Sequence, residues 1–195
     1  MSQDDESKRK ELLLKMYDQL FNDINRHILV VWQSVGLLFG AFAVFALVEK
    51  KIMPLYVASS LIVLLTAWLL AHIYDAAYWY NRNIVIIGNI ERQFLKKEDL
   101  TNIHHYFKKH RSENEMITHL QIQYYLGIGI ALLVIIYHFY VEIMPGICAP
   151  WGGFESQQTL PYILIVSATI CLSKLKKERE EKYKEFLKKS PGIQV

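Results

Sequence analysis

The stretch LKKEDLTNIHHYFKKHR, residues 95–111, holds the densest set of chemically capable side chains in the chain. Lys96, Lys97, His104, His105, Tyr106, Lys108, Lys109, His110 and Arg111 interleave cations with rings. Lysine and arginine hold phosphates, and bases stack on tyrosine, phenylalanine or histidine faces. The pattern therefore suits a nucleotide or short nucleic-acid ligand. A basic segment beside a membrane also fits plain contact with anionic lipids. Metal binding is not indicated, because no Asp or Glu completes a ligand spacing with His104, His105 or His110. Arg111 and His119 approach the Arg-to-His spacing of small helical ribonucleases, but seven residues between them are too many. GxSxG, HExxH and Walker-type loops are absent from the sequence. We assign no catalytic residue, no metal and no cofactor, and expect a protein that is not an enzyme.

A second group lies upstream in HIYDAAYWYNRNIVIIGNIERQF, residues 72–94. At helical spacing His72, Asp75, Trp79 and Arg82 fall on one stripe with Ile86, and Asn89 and Gln93 continue it. Tyr78, Trp79 and Tyr80 with Arg82 could be an aromatic belt at a membrane surface. That does not account for Asp75, Asn81, Asn83, Asn89 and Glu91, which suggest pairing between helices or subunits. We take His72, Asp75, Trp79, Arg82, Asn83, Asn89 and Arg92 as gating or inter-subunit candidates.

These groups must be positioned by helices that begin in lipid. The 195-residue chain is 52% hydrophobic, and its apolar residues are clumped. Ile28–Val48 carries no charge over about 20 residues, enough for about 30 Å of helix. Leu55–Ile73 and Tyr124–Ile143 are further spans; Leu160–Ser173 is a shorter fourth. A soluble four-helix core would not need charge-free runs of such length. The expected fold is all-α, with four transmembrane spans extended into a cytoplasmic helical stalk. Its expected segments are an N-terminal helix (1–27), spans one and two (28–73), a helical insert (74–123), spans three and four (124–173) and a helical tail (174–195). Residues 144–159 form the outer loop.

No early apolar region is seen, so span one is expected to act as both targeting signal and anchor. The segment 141–159 has no Lys or Arg, whereas the N-terminal segment, insert and tail hold nearly all of them. Positive charge stays inside, which predicts both termini in the cytoplasm. Lys50 and Lys51 in the first loop dilute this bias. Leu12, Leu13, Met16, Leu20 and Ile24 space an amphipathic helix leading into span one. The second span should run helically to about Leu95, Asp99 should cap a short helix, and Ser112 with Glu115 should open the helix into span three. Cys148 and Cys171 fall near opposite ends of the spans and receive no role.

Gly36 and Gly40 have the spacing that lets membrane helices approach, and we take them as helix-packing positions, mainly within one chain. Four spans without an internal repeat do not suit a transporter. One packed bundle would not conduct, so conduction would require several copies about an axis.

The strings DAAYWYNRNIVIIGNIERQFL and HHYFKKHRSENEMITHLQIQ, with the arrangement of spans, resemble small multipass membrane effectors of bacterial anti-phage defence. The likeness is to SLATT-type effectors and to the membrane subunits of two-gene systems such as Hailong and Kiwa, mainly over residues 72–123. The simplest SLATT members have two spans, against four here. The resemblance implies an oligomeric effector that perturbs the membrane when a partner enzyme, or its nucleotide product, signals infection. The expectation is a bacterial inner-membrane homo-oligomer, tetramer or larger, in contact with lipid and gated by a cytoplasmic nucleotide or oligonucleotide. The alternative is a non-conducting scaffold that recruits a soluble partner.

Overall fold

The computed structural model describes residues 3–96, 98–102, 113–148 and 155–189. Its helices are α1 (Gln3–Ala41), α2 (Val44–Glu49), α3 (Leu55–Glu91), α4 (Asp99–Asn102), α5 (Thr118–His138), α6 (Met144–Cys148) and α7 (Leu160–Lys188). A π-helical turn, Phe139–Ile143, joins α5 to α6, and a 3-10 turn, Ser156–Thr159, precedes α7. No strand occurs among the described residues. Four helical stretches, Gln3–Glu49, Leu55–Glu91, Thr118–Ile147 and Ser156–Lys188, are long and apolar enough to cross a membrane. The chain is an all-α multipass membrane protein.

Local chemistry explains the helix limits. Asp4, Asp5 and Glu6 in the first turn of α1 complement the helix dipole. The first span is not one straight helix: at Phe42 and Ala43 backbone bonds shorten to Phe39 and Gly40, where glycine weakens the helix. Lys51, at φ 59°, turns the chain between α2 and α3. Helix α3 stops at Glu91, short of Leu95, and finishes in a turn in which the Leu95 N–H donates to the Glu91 carbonyl at 2.9 Å. Helix α4 begins at Asp99, whose carboxylate accepts from the Lys96 N–H at 2.8 Å. The expected start at Ser112 and Glu115 is corrected: Ser112 lies outside the described residues, and α5 begins at Thr118 after an extended Ile117. The reason is tertiary. Asn81 donates its amide to the Asn114 side chain at 3.0 Å and the Glu115 carbonyl at 2.8 Å, holding that segment out of the helix.

The chain divides into two compact units. One, the polar unit, comprises Met1–Leu29, Asp75–Glu115 and Glu178–Val195; the other, the apolar unit, comprises Val30–Tyr74 and Met116–Lys177. Helices α1, α3 and α7 each supply residues to both. In the polar unit Ile24, Ile84 and Ile87 form a core joined by Tyr17, Leu20, Phe21, Ile28 and Tyr80, and Tyr183 of α7 is fully buried. The amphipathic reading of the N-terminal helix needs correction in part: Ile24 is buried, but Leu12 and Met16 are exposed.

In the apolar unit Val31, Val35 and Leu38 of α1 and Ile62, Leu69 and Ile73 of α3 are buried, as are Leu120 and Val134 of α5. A Cβ on Gly127 would stand 3.1 Å from Leu69 Cδ2, so this glycine permits close contact between α5 and α3. Gly36 and Gly40 do not serve packing within the chain: a Cβ at either would meet nothing within 4 Å. They lie on the face opposite Val31, Val35 and Leu38. Of the most apolar stretch of α3, 50% is buried inside the protein, against 6% for α7. Helix α3 is the hub, and α7 leaves its apolar face uncovered.

Candidate functional site

Polar side chains of α1, α3 and α7 meet along a seam in the polar unit. Arg179 Nη2 stands 2.8 Å from Asp75 Oδ1, both side chains being half-buried. The angle does not align a hydrogen bond, so the contact acts as an ion pair. The same guanidinium lies 5.4 Å from the centre of the Tyr78 ring. One turn on, His27 and Trp79 stack at 5.8 Å with an interplanar angle of 11°. Arg82 covers the Trp79 ring at 5.0 Å and faces Phe186 at 5.6 Å. The order His27, Trp79, Arg82, Phe186 thus links all three helices, the Arg82 cation lying between two π faces that attract it.

Hydrogen bonds extend the seam. Buried Asn83 donates to Asp23 at 3.1 Å. Asp23 also accepts from Arg26, and its other oxygen stands 3.9 Å from His27. Farther along, the Tyr17 hydroxyl donates to Glu91 at 3.1 Å, and Arg9 donates to Gln93 at 3.3 Å. Burial pushes the Glu91 carboxyl above its ordinary range, partly opposed by the Tyr17 hydroxyl. Tyr17 is pushed up by burial and then by its bond to Glu91. Both residues lie well beyond the apolar stretches of their helices.

Thus Asp75, Trp79, Arg82 and Asn83, expected to serve gating or inter-subunit contacts, all find partners inside the chain. Asn89 accepts from Arg92 at 3.4 Å, a contact along one helix. His72 belongs to the apolar unit, edge-on to Trp68 at 4.7 Å. Of the ligand-binding candidates only Lys96 is described, and its side chain is exposed. Lys97, His104, His105, Tyr106, Lys108, Lys109, His110 and Arg111 lie outside the described residues. Asp23, His27 and Arg179 were not singled out from the sequence. Asp23 and His27 are four apart on α1, and Arg179, Tyr183 and Phe186 repeat on α7, so each pair of faces is visible only once the seam is known.

The arrangement fastens helices. No group of three or more His, Cys, Asp or Glu suited to a metal occurs among the described residues. Comparison with protein-family models, curated proteins and solved structures finds no match. The chemistry of the seam therefore stands on its own geometry.

Proposed function

We propose that this protein is a homo-oligomeric membrane effector that disrupts membrane integrity or potential when a ligand acts on its polar unit. One observation carries the reading: α1, α3 and α7 are tied together by the charged seam and each continues into an apolar stretch. A ligand that pulls on one of these helices acts on all three. The uncovered apolar face of α7 and the open Gly36–Gly40 face of α1 leave surface for lipid and for further copies. The basic-aromatic insert, from Lys96 to Arg111, supplies the chemistry for a nucleotide or short oligonucleotide made by a partner enzyme of a defence system. The Lys and Arg distribution supports both termini in the cytoplasm, and the resemblance to bacterial defence effectors supports an inner membrane. Only a ligand that binds the open and closed states with different affinity can drive the change.

Reconstituted full-length protein tests this. Ion flux from liposomes should appear or vanish when mononucleotides or single-stranded oligonucleotides are added. Replacing Lys108, Lys109 and Arg111 by Glu should remove that response. A protein that conducts under no condition, yet retains a soluble partner, would instead be a scaffold.

A further inference from the structure

At the end of the apolar unit where α2 turns into α3, a groove of about 480 Å³ is lined by Val48, Lys51, Leu55, Tyr137, Val141 and Glu142. Its walls are mostly apolar, yet it carries one cation and one anion. The described residues give neither charge an ion-pair partner. Glu142 is half-buried, and its Oε2 accepts from the Gln158 amide at 2.8 Å. Gln158 is itself fixed by the capping box it forms with Glu155 at the start of the 3-10 turn. The carboxylate is therefore held in place by a neutral amide; its charge also acts on His138, four residues back, but no ion pair joins it to a cation among the described residues.

Glu142 lies in the π-helical turn that follows α5. Residues five apart in an α-helix point about 140° from each other. In Phe139–Ile143 the bonding changes to i→i+5, the Met144 N–H donating to the Phe139 carbonyl. Tyr137, Val141 and Glu142 of this stretch all line the groove. Lys51, which also lines the groove, sits at φ 59°, a conformation that costs a non-glycine residue energy and that surrounding structure must enforce.

We propose that this groove binds the headgroup of a zwitterionic phospholipid bearing a primary amine. The phosphate would lie at Lys51 and the ammonium at Glu142, with the first methylenes of the acyl chains against Val48, Leu55 and Val141. A protonated primary amine offers donors to the carboxylate that a quaternary amine lacks. An anionic headgroup without an amine leaves Glu142 uncompensated. The assignment goes beyond the effector reading and does not depend on conduction.

The test uses full-length protein, stripped of lipid in mild detergent and titrated with phosphatidylethanolamine, phosphatidylcholine or phosphatidylglycerol. Bound lipid is counted by native mass spectrometry. Phosphatidylethanolamine should bind about tenfold more tightly than either other lipid. Glu142→Gln, which keeps the contact with Gln158, and Lys51→Gln should each bring it down to the phosphatidylcholine level. Equal binding of the three lipids, a preference for phosphatidylglycerol, or a preference that survives Glu142→Gln overturns the proposal. Should Glu142→Gln fail to fold, the headgroup series on the unaltered protein and Lys51→Gln decide it.

Discussion

Asp75 of α3 and Arg179 of α7 approach to 2.8 Å, each the first or second residue its helix gives to the polar unit. The pair ties the third helix to the seventh where both leave the apolar unit in sequence. Because both side chains are partly desolvated, removing one partner leaves a half-buried charge uncompensated and costs more than breaking a solvated surface pair.

Asp75→Asn should lower stability by about 1–3 kcal/mol, because the Arg179 charge is left half-buried without its partner. Exchanging the two residues, Asp75→Arg with Arg179→Asp, should recover part of the loss, although the contact with the Tyr78 ring is sacrificed. Thermal unfolding in detergent measures this. Equal melting of Asp75→Asn and the unaltered protein would show that the pair contributes nothing.

Asn81 decides where α5 begins. Asn81→Leu fills the volume but removes both bonds to Asn114 and Glu115. The loss should cost about 1–3 kcal/mol. Hydrogen exchange should quicken over residues 113–117, while the Ile84 region of α3 stays protected. Unchanged exchange over that segment would mean that other contacts hold it.

Glu91 makes stability depend on pH with a definite sign. Its folded pKa is raised, chiefly by burial. Between the ordinary carboxyl value and that raised value, the folded state holds more protons than the unfolded. Stability contributed by this group is present at low pH and is lost as pH rises through the raised value. The melting-temperature difference between the unaltered protein and Glu91→Gln should therefore shrink or reverse as pH rises across this window. Tyr17→Phe removes the opposing hydrogen bond and should move the window upward. A difference that is flat with pH, or grows, would contradict the assignment.

The glycines separate packing inside the chain from packing between chains. Gly127→Leu should destabilise the monomer by about 1–3 kcal/mol, since a Cβ there already meets Leu69 at 3.1 Å. Gly36→Leu with Gly40→Leu should leave monomer stability nearly unchanged, because both face open space. If copies meet on that face, cross-linked oligomers in membranes should fall in the double variant alone. Oligomers that persist would place the contact elsewhere.

The first two spans were legible because a charge-free run of about 20 residues has few alternatives to a membrane, and the third because Glu142 is its one charge; the fourth, a shorter run, gave a weaker signal. Continuity of α3 beyond Ile73 was legible too, since no proline or turn signal interrupts it. Yet the same pattern misjudged details that depend on neighbours. Ser112 and Glu115 spell a capping box, but Asn81 holds Glu115 by its carbonyl, a bond made across the fold. Leu12 and Met16 follow helical spacing and still lie exposed.

Local chemistry, then, set the helices, their class and the sorting of greasy from charged segments, because those properties depend on runs of neighbouring residues. Which partner each polar side chain takes was decided by tertiary structure. Asp75, Trp79, Arg82 and Asn83 form a stripe that periodicity can draw, but a stripe has no address. Arg179, His27 and Asp23 complete it from distant positions, and only a packed core of Ile24, Ile84 and Ile87 brings them within reach. Likewise Glu142 sits in a π-helical turn, a change of helical bonding that nothing in the local sequence announces.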